Sequence, residues 1–157
     1  MNDDNIIIHS TLEQGYDFYI TDKWHKKYHF KISTFAVPSG FLSEAIEVIN
    51  PNSESVSRTF QILSDFEADI ETSELVLKAK IKEGINQKHL EIEDGQLRIG
   101  DEQILIGKIS CEDDAIETTL FEIDGKRITV EKFVDMLQMY SGWKFKFQIF
   151  DSTDELE

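Results

Sequence analysis

The chain has little of several things, and each shortage excludes a class of answer. It carries a single cysteine, Cys111. No disulfide can therefore close within it, and a zinc site needing several thiolates is ruled out. This fits a reducing compartment, and the expectation is a cytoplasmic protein. No apolar run approaches the roughly 20 residues of a membrane-crossing helix. Basic residues are scarce: 16 Lys and Arg stand against 31 Asp and Glu, a formal net charge of −15. So acidic a surface repels nucleic acid and anionic lipid over the distance that salt leaves unscreened. No nucleic-acid partner and no membrane partner is expected. The first residues, 1–5, are polar, and Ile6-Ile7-Ile8 is too short for the apolar part of a secretion signal. Only two prolines and eight glycines punctuate the 157 residues, and none forms a linker that divides the chain.

What is present suits a folded core. Hydrophobic residues make up 40% and aromatics 11%, eleven of them Phe. Disordered segments lack such residues, so most of the chain is expected to fold, with aromatics carrying much of the core.

Residues 1–14 read as a polar lead-in. From Tyr16 the period is two: Tyr16, Phe18 and Ile20 point one way, Asp17 and Tyr19 the other. Thr21-Asp22-Lys23 turns the chain, and Tyr28, Phe30 and Ile32 alternate against His29, Lys31 and Ser33, which predicts an antiparallel hairpin. Pro38-Ser39-Gly40 signals a turn. Residues 41–49 fit both a helical stripe and a strand alternation. The strand is preferred, because a helix would have barely two turns before Asn50-Pro51. Residues 59–62 read as a returning strand. Residues 66–85 are predicted helical, with Ile70, Leu77, Ile81 and Ile85 on one stripe and Gly84 marking the end. Residues 90–109 read as short strands with turns at Asp94-Gly95 and Gly100-Asp101, and the apolar run 104–109 is placed centrally in a sheet. A strand over 118–123, a turn at Asp124-Gly125 and a helix capped by Thr129 follow. That helix is expected to bury Val130, Phe133, Val134 and Leu137, with Met136 and Tyr140 as further members of the stripe, and to stop at Gly142. Trp143, Phe145, Phe147 and Ile149 then alternate with Lys144, Lys146 and Gln148 as a final strand, with Trp143 in the core. The expectation is one α+β domain over residues 15–151, a mostly antiparallel sheet with two helices packed on one face, and an acidic tail over 152–157.

Two patterns carry a resemblance. IDGKRITVEKF followed by GWKFKFQIFD, and earlier YDFYITDKWHKKYHFKI with PSG and EAIEVI, resemble an uncharacterised bacterial family of unknown function. The motifs are turn glycines, a helix start and core aromatics. The resemblance implies a shared fold and a bacterial source, and it brings no activity and no catalytic residue. Some members of such families look to carry a Cys-rich metal finger ahead of this domain, and nothing in this chain matches one.

Few residues suggest chemistry. His25 and His29 would share a face of a helix, as metal ligands do. In a strand their Cα atoms stand about 13 Å apart, too far for one ion. Asp22 completes such a site only if the turn folds back. Cys111 has carboxylates beside it at Glu112 and Asp113, which disfavour a thiolate and argue against a nucleophile paired with His89 or His29. Glu112, Asp113, Asp114 and Glu117 lack the ligand spacing of a calcium loop. Phosphate-binding glycine motifs and the nucleophile elbow are absent.

Trp24 is the side chain to watch, an aromatic beside a turn among Lys23, His25, Lys26 and Lys27. Exposed, it anchors a partner; packed over the sheet edge, it is core. Trp24, His25, Lys26, Lys27 and His29 are the candidate partner- or ligand-binding residues. No catalytic residue, metal or cofactor is assigned. The reading is a non-catalytic interaction domain whose acidic surface meets a basic protein partner. The alternative is a small-ligand or metal-dependent enzyme built on Asp22, His25 and His29.

Overall fold

A computed structural model describes residues 15–53, 55–111 and 119–154. The lead-in, the acidic run 112–117 and the end of the tail lie outside these residues. The fold is α+β, with antiparallel pairing throughout. Where the sequence analysis expects one domain, the contacts gather into two compact units. The first holds residues 15–50, 57–86 and 148–154; the second holds 51–56 and 87–147. The step from one to the next at Asn86-Gln87 has no Pro, Gly or Ser run to announce it.

The first unit is a meander of four strands, β1 (Tyr16–Thr21), β2 (Lys27–Val37), β3 (Gly40–Glu47) and β4 (Thr59–Ser64), in that spatial order. The strand reading of residues 41–49 is borne out by β3. Helix α1 (Ile70–Ile85) lies on one face of this sheet. Its apolar stripe Leu77, Ile81 and Ile85 is buried against Phe30, Ile32, Ala45 and Ile62. Asp69 caps its N-terminus, accepting from the Thr72 N–H at 3.2 Å.

The end of α1 differs from expectation. The helix runs through Gly84 and is capped at Asn86. Gly84 is there for space: a β-carbon on it would lie 2.5 Å from Cε1 of Phe60. The Phe60 ring meets Phe30 edge-on at 5.8 Å and fills the room that a side chain would take.

A polar line crosses this core. Glu74 of α1 accepts from the Tyr16 hydroxyl at 2.8 Å and from the Thr34 hydroxyl at 2.6 Å, and Thr34 shares a hydrogen bond with Ser43 at 2.9 Å. Thr34 and Ser43 are fully buried opposite each other in register. Their partners make that burial tolerable. Burial, then Glu74, pushes the Tyr16 phenol well above the usual tyrosine range.

The second unit contains β5 (Leu90–Glu93) paired with β6 (Gln96–Ile99), the sheet β7 (Lys108–Cys111), β8 (Thr119–Ile123) and β9 (Lys126–Thr129), helix α2 (Val130–Leu137) and a 3-10 turn (Gln138–Tyr140). Both expected Asp-Gly turns form. Asp94-Gly95 and Asp124-Gly125 place two successive residues at positive φ, the geometry that two-residue hairpins need. Thr129 caps α2 as predicted, accepting from Lys132 N–H at 3.0 Å. Helix α1 thus belongs to the first unit and α2 to the second.

Three expectations about burial are corrected here. Of the expected α2 stripe the core takes Phe133, Met136 and Tyr140, around Leu90, Ile99, Ile123 and Ile128, and not the rest. Val130, Val134 and Leu137 stay more than 40% exposed, because a helix of eight residues is turned to the sheet by its Phe133/Met136 side. The run 104–109 is not a central strand: only residues 108–111 pair, at a sheet edge, and Ile104 and Ile109 are about half exposed. Residues 143–149 form no strand, and Trp143 is 64% exposed. Their alternation has no neighbouring strand to satisfy it among the described residues. No described helix is long and apolar enough to cross a membrane.

Candidate functional site

The β1–β2 connection, residues 22–26, is built around one carboxylate. Asp22 is 6% exposed. Its Oδ1 accepts from the backbone N–H of Trp24 at 2.8 Å and of Lys26 at 2.9 Å, and its Oδ2 accepts from the Tyr28 hydroxyl at 3.2 Å. Its own N–H donates to Lys26 O at 2.9 Å, and its carbonyl accepts from His25 N–H at 3.0 Å. Aspartate suits this place because its short side chain reaches backbone N–H groups two to four residues on. The loop is also tied to the helix: Lys23 N–H donates to Oδ1 of Asn86, the α1 cap residue, at 2.7 Å. His25 sits at φ +69°, which closes the turn.

The result is a stiff loop that holds Trp24 41% exposed, with Lys23 Nζ 4.8 Å from its ring centroid. Lys26 Nζ lies 4.9 Å from the Tyr28 ring centroid. Lys27 opens β2 opposite Thr21 and is exposed. Burial chiefly pushes the Tyr28 phenol up to about 12, with the nearby Asp22 adding to the rise and Arg58 opposing it.

His29 points to the other face of the sheet, since Tyr28 and Phe30 on either side of it are buried toward α1. There its Nε2 meets Asp17 Oδ1 at 2.8 Å, and its ring stacks on Tyr19 at 4.4 Å. The His29 hydrogen bond holds the Asp17 carboxyl below the usual carboxylate range. Asp22, His25 and His29 therefore do not converge: the carboxylate is buried on the helix side, His25 lies in the turn and His29 lies on the opposite face. Among the described residues no three His, Cys, Asp or Glu side chains stand close enough to hold a metal ion. Cys111 ends β7 and is exposed. The calcium-loop candidates 112–114 and 117 lie outside the described residues.

Residues 13–86 match the family described as Domain of unknown function (DUF7686), and residues 88–154 match Domain of unknown function (DUF7713). The chain pairs matches to two families of unknown function. No curated protein and no solved structure matches it. The DUF7686 match spans the four-stranded sheet, α1 and the Trp24 loop, and the DUF7713 match begins just before β5. Their meeting point, between residues 86 and 88, coincides with the step between the two compact units. The expected resemblance to an uncharacterised family is borne out by both matches, and neither carries an activity to this chain.

Sequence reasoning passed over two features near these elements. One is Tyr19, the stacking partner of His29; the β1–β2 register sets the two directly opposite, and a hairpin alignment would have paired them. The other is a cleft of about 280 Å3 in the second unit, lined by Lys88, His89, Glu91, Asp101 and Glu102 among others. Its walls come from the chain entering β5 and the chain leaving β6, so no local motif announces it.

Proposed function

We propose that this protein is a non-catalytic interaction module that takes a protein partner on the Trp24 loop. One observation carries the reading: Asp22 is buried to build a loop whose product is a half-exposed tryptophan. An aromatic held rigidly at the surface loses little freedom on binding, and such residues dominate interface energies. Lys23, Lys26 and Lys27 flank it, so the partner surface is an apolar pocket with an acidic rim. Over longer range the chain's −15 charge favours a partner that is basic overall. The same charge disfavours nucleic acid, and the lone Cys111 suits a reducing, cytoplasmic setting.

The test is affinity capture from lysate of the source cell by the wild-type chain and by Trp24→Ala, at low and at moderate salt. A stoichiometric partner bound by the wild type, lost with Trp24→Ala and weakened by salt supports the proposal. A partner indifferent to Trp24, or none at either salt, overturns it.

A further inference from the structure

The second unit ends in a segment that has the form of a strand and no described strand beside it. Gly142, at φ +93°, turns the chain out of the 3-10 turn. Trp143 N–H donates to Tyr140 O at 2.9 Å, and the two rings meet edge-on at 5.2 Å. Beyond this anchor, residues 144–147 make no ladder with any described strand. Phe145 is 90% exposed and Phe147 61%. Lys144 and Lys146 have no ion-pair partner among the described residues. A row of bare aromatics with unpaired backbone is a template for strand addition.

The charges say which edge it fits. Among the described residues the sheets present six edge strands, β1, β4, β5, β6, β7 and β9. A Lys-Phe-Lys segment needs acids two residues apart with an apolar residue between them. Only β5 offers this, as Glu91-Ile92-Glu93. The others carry one acid (β1), none (β4) or a base (β6, β7 and β9). Ile92 is 67% exposed. Asp124 Oδ2 already accepts from Leu90 N–H at 2.8 Å, which closes that end of the edge and centres pairing on Ile92. Glu93 meets Arg98 of β6 only loosely, at 4.0 Å. An added lysine on its other side would complete a row of alternating charge across the strands.

We infer that residues 143–147 of one copy add as a third strand to the β5 edge of a second copy, with Phe145 against Ile92 and Lys144 and Lys146 against Glu91 and Glu93, and that the exchange is reciprocal about a two-fold axis. Six aromatic side chains, at roughly 150–250 Å2 each, bring the buried area to about 1,000 Å2, the scale of a specific interface. The inference uses residues of the second unit alone and stands apart from the Trp24 reading.

The test is a charge exchange read by sedimentation equilibrium. The wild type is a dimer at micromolar concentration. K144E/K146E alone and E91K/E93K alone each raise the dimer dissociation constant at least about tenfold, since like charges then face each other in both contacts. Mixing the two variants restores a dimer, because each segment again meets an edge of opposite charge. These positions are exposed, and far-UV circular dichroism checks that both variants stay folded. A wild type that remains monomeric, or variants that dimerise as well as the wild type, overturns the inference. So does a monomer in which each variant loses thermal stability, mixing changes nothing and all four changes in one chain restore it, the signature of pairing within one copy.

Discussion

Replacing Asp22 separates a loop built on one carboxylate from a loop that is merely polar. In Asp22→Ala three acceptor contacts go at once. The N–H groups of Trp24 and Lys26 belong to exposed residues and return to water. The Tyr28 hydroxyl does not, since Tyr28 is 8% exposed. An unsatisfied buried hydroxyl costs about 1–3 kcal/mol, and a net hydrogen bond to a charged acceptor contributes about 1.5–3 kcal/mol. Discounting the two re-solvated groups, the loss is about 2–4 kcal/mol. Asp22→Asn keeps an acceptor oxygen for both N–H groups; it loses the charge and the acceptor of the Tyr28 hydroxyl, but its amide N–H can donate to the Tyr28 oxygen instead, so the loss is about 1–2 kcal/mol. The assay is urea unfolding followed by tryptophan fluorescence in a Trp143→Phe background. Trp24 is then the sole tryptophan of the chain and reports on the first unit alone. This matters because a chain of two units need not unfold in one step. A loss below about 0.5 kcal/mol for Ala, or equal losses for Ala and Asn, would refute the reasoning.

Two further predictions concern the same unit. Gly84→Ala gains about 1 kcal/mol of helix propensity but overpacks Phe60 at a cost of about 1–3 kcal/mol. The urea midpoint should therefore fall, and in a Phe60→Leu background the same change should raise it; a rise in both backgrounds shows that the ring gives way. Alkaline pH should loosen the sheet–helix packing. The Tyr16 and Tyr28 phenols are both raised above their unfolded values, so their neutral forms are favoured by folding. That stability is complete below the ordinary tyrosine range and is lost as pH climbs through it toward the raised values. Carbon NMR of the ring Cζ atoms should show Tyr16 and Tyr28 still protonated above the ordinary range. Ionisation of both within that range, with the fold intact, contradicts the packing described.

Local chemistry made much of the first unit readable. The alternation of Tyr16, Phe18 and Ile20 against Tyr28, Phe30 and Ile32 states a hairpin, and the Ile70-to-Ile85 stripe states a helix, because one face of each is buried and the spacing shows which. The Asp-Gly turns were legible for a similar reason: few residues adopt two successive positive φ values. What failed depended on a neighbour distant in sequence. Gly84 reads as a helix stop unless the Phe60 ring across the sheet is known. The apolar run 104–109 states hydrophobicity and not a partner strand. The alternation over 143–149 is that of a strand, but pairing also needs an edge, and sequence does not say where that edge is. At the site, Trp24 was legible as an aromatic out of place beside a turn. The work of Asp22 was not, because its partners are backbone groups whose positions exist only once the loop has closed. Glu74, bridging Tyr16 and Thr34 from another element, was hidden in the same way, although Thr34 and Ser43 at inward positions hint that some polar group must meet them.

The most direct test of the interaction reading is photo-crosslinking in the source cell from a benzophenone amino acid placed at position 24, with one at position 71 on the exposed side of α1 as the control. The account predicts a single protein adduct from position 24 and none from position 71. No adduct from position 24, or the same adducts from both positions, would contradict it.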